Sequence, residues 1–345
     1  MVGMGYRQTN ADHTVFFRRH EVHITMLAVY VDDMIITGND EGEIALLKKR
    51  LSKEFEVKDL GQLKYFLGIE IAHGAEGIVL SQRKYVLDLL TETGMLGCKP
   101  AVAPIDQKSK LSAEAGEPVD KERYQRLVGR LIYLSHTRPD ISFAVSVVSR
   151  YMHDPREGHM DAVYQILRYL KSAPGKGLIF RKNGHLSIEG YCDSDWASCA
   201  DDRKSTSGYC MFVGGNLVSW KSKKQSVVAR STAEAEYRAM ALGVAEMMWL
   251  RALLVELKMD QEAQMKLWCD NKSAISIANN PVQHDRTKHV EIDRFFIKEK
   301  LNSGLLELGY VTTREQVADC LTKGLSSLEL SRLCDKMGLV DIFRS

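Results

Sequence analysis

The chain has 345 residues, with 47 basic against 45 acidic side chains, a formal net charge of +2, 45% hydrophobic and 27% charged residues. These are ordinary globular proportions, which exclude collagen, low-complexity polymer and wholesale disorder and leave any nucleic-acid partner to local basic patches. No apolar run reaches the roughly 20 residues of a bilayer span, and the start MVGMGYRQTN lacks the order of a signal peptide, so an intracellular protein, cytoplasmic or nuclear, without a membrane partner is expected.

In chain order, ITMLAVYVDDMIIT (Ile24 to Thr37) gives two β-rich runs interrupted by Asp32 and Asp33, a hairpin with paired carboxylates at its turn. Ile44, Leu47, Leu51 and Phe55 recur at spacings of three or four and predict a helix over Glu41 to Phe55. A strand is predicted from Leu63 to Ala72, a turn at His73 to Gly77, a short strand from Ile78 to Ser81 and a helix from about Arg83 to Thr93. Cys98 to Pro118, rich in Pro, Ser, Ala and charge, reads as a connection. A helical block follows from Lys121 to Ser172, with breaks at Arg138-Pro139 and Asp154-Pro155. Ser172 to Gly177, with one proline and two glycines, is the expected domain border.

After Gly184 the pattern turns to strands at Leu186 to Asp193, Tyr209 to Val213, Leu217 to Trp220 and Ser226 to Arg230, with Gly214-Gly215-Asn216 as a tight turn. A long helix is predicted from Thr232 to about Leu257, a strand from Met265 to Cys269, and helices from Asn271 and from about Val290 to Leu301. A strand from Leu305 to Val311 and a last helix from about Thr313 complete the chain. Strands first, then alternating helices and strands, mean a mixed sheet flanked by helices, so the fold class is α/β and α+β multidomain. The seven cysteines form no C-x-x-C pair and read as reduced, mostly buried thiols.

Four acidic residues stand at ends of these elements: Asp193 at the end of a strand, Glu236 in the first turns of the long helix, Asp270 after KLWC, and Asp319 early in the last helix. Strand ends and adjoining helix starts gather at one rim of an α/β sheet, so these carboxylates can meet there. Such a cluster is costly unless cations neutralise it, and hard ions such as Mg²⁺, with Mn²⁺ as a substitute, take oxygen ligands. Two such ions can support phosphodiester hydrolysis. Any one of these acids alone reads as a cap or a partner of a helix dipole. Glu234 illustrates this, because Ser231-Thr232-Ala233-Glu234 fits a capping box and leaves Glu236 for the site; Asp195, Asp201 and Asp202 read as loop or cap residues.

The strings YCDSDWA, DDRKSTSGYCMFVGGNLVSWKSKKQSVVARSTAEAEYRAMA, LWCDNKSAI, RTKHVEI and ADCLTKGL resemble, in order and spacing, the ribonuclease H domain of copia-type LTR retrotransposon Pol polyproteins. The resemblance spans Leu186 to Phe343. It implies an RNase H-like mixed five-stranded sheet, cleavage of the RNA strand of an RNA–DNA hybrid, and Asp193, Glu236, Asp270 and Asp319 as catalytic, metal-binding carboxylates. No histidine lies in Thr312 to Gln316, where many cellular RNases H carry one; His289 is read as structural or substrate-proximal. Arg203, Lys204, Lys221, Lys223 and Lys224 flank two strands near Asp193 and suit a hybrid gripped through its phosphates and 2′-hydroxyls. A solvated surface is the plain alternative.

Tyr30-Val31-Asp32-Asp33 with LGQLKYFLGIEI resembles the YVDD motif and thumb-side strands of copia-type reverse transcriptases, which makes Asp32 and Asp33 palm carboxylates. Tyr124 to Phe180 resembles the connection of the same polyproteins. The expected organisation is therefore 1–100 as the C-terminal part of palm and thumb, 101–184 as linker and connection, and 185–345 as an RNase H-like domain. Only residues 1–31 precede Asp32, and Asp12 lies too close to the hairpin to be its palm partner, so the chain is not expected to polymerise DNA alone. Two other readings stay open: a catalytically inactive, nucleic-acid-binding remnant, and polymerase activity completed in trans by other Pol segments.

Overall fold

The computed structural model describes residues 1–107, 111–260, 263–279 and 291–343. The chain forms two compact units, Met1–Lys64 with Met248–Glu262, and Tyr65–Met247 with Ala263–Ser345.

The first unit contains an antiparallel sheet in the order β1 (Arg7–Gln8), β2 (Val15–His20), β3 (His23–Tyr30) and β4 (Asp33–Gly38), followed by helix α1 (Glu41–Glu54). Asp40 caps α1 by accepting the Glu43 N–H at 2.9 Å, and Leu47 and Leu51 are the buried residues of its stripe, packed with Tyr6. The hairpin forms where the sequence places it, Tyr30 pairing with Asp33 across Val31 and Asp32. Strand β2 is an addition to the sequence reading: its VFFRRH mixes apolar and basic residues and shows no clean alternation.

The second unit begins with β5 (Tyr65–Phe66), β6 (Ile69–Gly74), β7 (Gly77–Ser81) and α2 (Arg83–Glu92), then α3 (Lys121–Leu134), α4 (Ser142–Ser149) and α5 (Glu157–Ser172). It continues with β8 (Lys176–Phe180), β9 (Ile188–Asp195), β10 (Thr206–Val213), β11 (Asn216–Lys224) and α6 (Thr232–Glu256), whose last turns belong to the first unit. Next come β12 (Met265–Cys269), α7 (Lys272–Asn279), α8 (Glu291–Asn302), β13 (Leu306–Tyr310), α9 (Ser327–Lys336) and β14 (Leu339–Asp341). One sheet is antiparallel, ordered β14-β8-β7-β6-β5. The other is the expected mixed five-stranded sheet, ordered β11-β10-β9-β12-β13, with β12 parallel to both β9 and β13.

Four expectations are corrected. Leu63 to Ala72 is a hairpin, not one strand, because Leu67 and Gly68 turn with φ of 48° and 84°. Ser226 to Arg230 forms no strand: β11 ends at Lys224, and Gln225 turns inward to donate to Ser207 Oγ at 2.9 Å and to Ala235 O at 3.0 Å. The helix expected from Thr313 is instead two 3₁₀ turns, Thr313–Glu315 and Val317–Leu321, and α9 begins only after the Ser326 capping box. Ser172 to Gly177 is not a border between compact units, since β8 pairs with β7 upstream and β14 downstream. At Gly177 the Leu80 carbonyl comes too close to admit a Cβ, so the glycine serves strand packing and not a linker.

A large core in this second unit joins its helices to later elements. Val86, Leu89, Leu127, Leu131, Val148, Ile166 and Leu170 from the helices join Cys210, Phe212, Leu217, Leu321, Leu333 and Leu339 from the later elements. Within it Arg138, 1% exposed, donates to Asp140 at 2.9 and 2.7 Å and to Ala173 O at 3.1 Å, and Tyr169 OH donates to the same carboxylate at 2.7 Å. A buried ion pair is tolerated when its remaining donors and acceptors are satisfied in this way.

Candidate carboxylate site at the sheet rim

Side chains alternate across a strand, and the four acids come from both faces of the mixed sheet. Helix α6 packs on one face, its Gly243 lying over Met211, Leu267 and Cys192, where even a Cβ would make contacts of 3.3–3.7 Å. That helix carries Glu236, 3% exposed. Asp193, 2% exposed, points to the other face, where the 3₁₀ turn Val317–Leu321 packs and presents Asp319, 6% exposed. Asp270, at the rim just beyond β12, reaches both sets. One oxygen each from Asp193, Asp270 and Asp319 lie within 4.8 Å of one another, and Glu236, Cys269 and Asp270 form a second such group.

The surroundings hold these groups in place. Thr322 Oγ1 donates to Asp193 Oδ2, and Thr313 Oγ1 donates to Asp270 Oδ2 at 2.9 Å. Gln316, fully buried, donates to Cys192 O at 2.9 Å and accepts the Ala318 N–H, which ties the 3₁₀ turn to β9. Lys323 Nζ stands 2.9 Å from Asp319 Oδ1 and 4.0 Å from Asp193 Oδ2.

The electrostatics are those of crowded carboxylates. Burial, then the charges of Asp193, Cys269 and Asp270, push Glu236 up to about 10. Burial and Asp193 push Asp319 up to about 7 against the pull of Lys323, and burial raises Asp193 as well. Negative charge thus exceeds what Lys323 neutralises, and the donor set is oxygen-rich, so these residues fit a hard divalent ion.

Sequence reasoning misses Cys269, Thr313, Thr322 and Lys323. Only Lys323 leaves a signal, four residues after Asp319 in ADCLTK. Glu234 has the local task expected of it, accepting the Arg230 N–H at 2.8 Å and pairing with Arg238 at 3.1 Å. His289 and most of RTKHVEI lie outside the described residues.

The five basic residues do not form one strip. Lys204 and Lys224 both pair with Asp202, at 3.4 and 2.9 Å, while Lys221 and Lys223 are exposed and alternate with Lys224 along β11, on its other face. Arg203 is exposed in the loop, at a φ of 58°. Asp32 and Asp33 are exposed at the tip of their hairpin and join no metal-sized acidic group among the described residues. Val31 beside them has a φ of 51°, a strained value for a β-branched residue. No helix among the described residues is long and apolar enough to cross a membrane.

Comparison with known proteins adds the following. Residues 1–107 match the family model for reverse transcriptase (RNA-dependent DNA polymerase). The chain is 41% identical over 343 residues, 99% of its length, to the retrovirus-related Pol polyprotein from transposon RE1 of Arabidopsis thaliana, and covers 23% of that protein. It is 32% identical over 238 residues to a putative transposon Ty5-1 protein of Saccharomyces cerevisiae, covering 68% of this chain and 77% of that one. A solved structure of LC11-RNase H1 in complex with RNA/DNA hybrid shows 15% identity over 39% of this chain and 94% of its own, with a TM-score of 0.29, an overlap too slight to argue from. The chain spans about a quarter of the length of the curated polyproteins it matches first.

Proposed function

The chain belongs to the retrovirus-related Pol polyproteins of copia-type retrotransposons, and from that membership we propose that residues 185–345 act as a divalent-metal-dependent ribonuclease that cuts the RNA strand of RNA–DNA hybrids. The observation that carries the reading is Asp270 standing at the rim between two carboxylate groups on opposite faces of the mixed sheet. Asp193, Asp270 and Asp319 would hold one ion and Glu236 with Asp270 the other. Divalent ions, Mg²⁺ or Mn²⁺, supply activation of a water and stabilisation of the departing oxygen.

The chain's own residues prepare this chemistry. Thr322 fixes the carboxylate plane of Asp193, Thr313 that of Asp270, and Gln316 the turn that carries Asp319. Orienting partners of this kind fix ligand geometry, and losing one typically costs about 10–100-fold in metal affinity or activity. Lys221, Lys223 and Arg203, exposed and free of the Asp202 pairings, are the basic residues best placed to meet hybrid phosphates. Residues 1–100 are assigned to reverse-transcriptase palm and thumb, 101–184 to the connection and 185–345 to the ribonuclease segment. The whole-polyprotein activity of DNA synthesis is not assigned to this chain alone.

The test compares the purified chain with Asp270→Asn on a labelled hybrid. Loss of cleavage with hybrid binding retained supports the site; unchanged cleavage refutes it. Two rivals differ in their outcome: an inactive remnant binds and never cuts, and completion in trans gives primer extension only when an N-terminal Pol segment is added.

A further inference from the structure

The two halves of the carboxylate site differ in one respect: one contains a cation of the chain's own. The backbone N–H groups of Thr322 and Lys323 both bond to Asp319 O at 3.2 Å, so the turn brings the Lys323 side chain back over the carboxylate that begins it. Its ammonium lies 2.9 Å from Asp319 Oδ1 and 4.0 Å from Asp193 Oδ2, among the oxygens that Asp193, Asp270 and Asp319 present to one another. Among the described residues, neither Glu236 nor Asp270 is within ion-pair distance of a lysine or arginine. The Lys323 side chain is 35% exposed, so its flexible stem has open solvent to move into.

We propose that Lys323 is a resident competitor for the cation at Asp193, Asp270 and Asp319, so that the two halves of the site fill unequally. The half formed by Glu236 and Asp270 loads first. The other loads as the ammonium leaves, and until then Lys323 keeps the two buried carboxylates from repelling the turn off the sheet. A single positive charge about 4 Å from a divalent ion weakens binding at least about tenfold, even at the dielectric of water. The proposal rests on the carboxylates binding divalent ions at all.

Binding of Mn²⁺ to the full chain, without nucleic acid, tests it, with free Mn²⁺ followed by electron paramagnetic resonance. The parent is expected to show one tighter and one weaker site. Lys323→Gln tightens the weaker site at least about tenfold and leaves the tighter one unchanged, while Lys323→Arg keeps the charge and the unequal filling. In chelator, Lys323→Gln also melts below the parent, and added Mn²⁺ closes that gap. A weaker site unmoved in Lys323→Gln overturns the proposal alone, as does equal filling in Lys323→Arg. No binding by the parent overturns the metal reading together with it.

Discussion

Gly208 stands directly opposite Asp193 in the ladder between β9 and β10, under the 3₁₀ turn that carries Asp319. A Cβ at this position would lie 2.7 Å from Thr322 Cγ2 and 2.8 Å from Leu321 Cβ. Gly208→Ala therefore lifts the turn, weakens the bond from Thr322 to Asp193 and costs about 1–3 kcal/mol, the usual range for overpacking. Chemical denaturation of the variant checks the cost, and hybrid cleavage should fall with it; a fully active Gly208→Ala would show that the turn need not sit this close.

Thr322 gives a finer probe of the same contact. Thr322→Val keeps the shape but removes the donor to Asp193, and a lost orienting partner typically costs about 10–100-fold in metal affinity or activity. Thr322→Ser restores the hydroxyl and should restore most of the loss. Metal titration of both variants separates this role from simple packing.

The sequence makes the four carboxylates legible because each stands where an element ends or begins, and such ends share a rim. What stays hidden depends on the third dimension. That Asp193 and Glu236 lie on opposite faces follows from α6 packing over Cys192, the strand neighbour of Asp193, a contact with no local signature in the sequence. Val317 to Leu321 has the apolar spacing of a helix, yet Gln316 spends its amide on Cys192 O and Ala318 N, and the chain closes into a 3₁₀ turn. Arg138, read only as the residue before a proline break, is one of the largest fully buried side chains. Gly175 and Gly177 look like linker residues because sequence does not distinguish a flexible glycine from one pressed against a neighbouring strand.

Arg138 and Asp140 set a dependence of stability on pH. Burial raises the Asp140 carboxyl, but the charge and hydrogen bonds of Arg138, with Lys176 and Tyr169, outweigh it and hold the group below its ordinary range. A carboxyl that is lower in the folded state gives stability that is full above its unfolded value of roughly 4 and is lost as pH falls through the folded value. Arg138→Met leaves a buried carboxylate without its partner and is expected to cost about 3–5 kcal/mol near neutral pH. With the partner gone burial dominates, so the deficit shrinks as pH is lowered from about 7 to about 5. Denaturation midpoints of parent and variant at the two values measure the sign; a constant deficit contradicts it.

One face of residues 185–345 leans on the connection helices: Cys210, Phe212, Leu217 and Leu321 pack among side chains of α2 to α5, and Trp220 Nε1 donates to Ser135 O at 3.0 Å. The isolated 185–345 segment is expected to lack the cooperative thermal transition of the whole chain. A sharp transition in that segment would mean that the connection helices are dispensable.

Asp32 and Asp33 sit apart from any metal-sized acidic group among the described residues. Replacing both by Asn should leave hybrid cleavage unchanged, and the parent should extend no primer when supplied with template and nucleotides. Extension that the double change abolishes would establish a working polymerase in this chain.

Most direct of all is cleavage of a hybrid labelled on both strands, incubated with the purified chain in Mg²⁺ and in chelator. Cutting of the RNA strand alone, only with the metal, is the predicted result. An intact RNA strand in the presence of folded, metal-supplied protein, or cutting of both strands, would contradict the account.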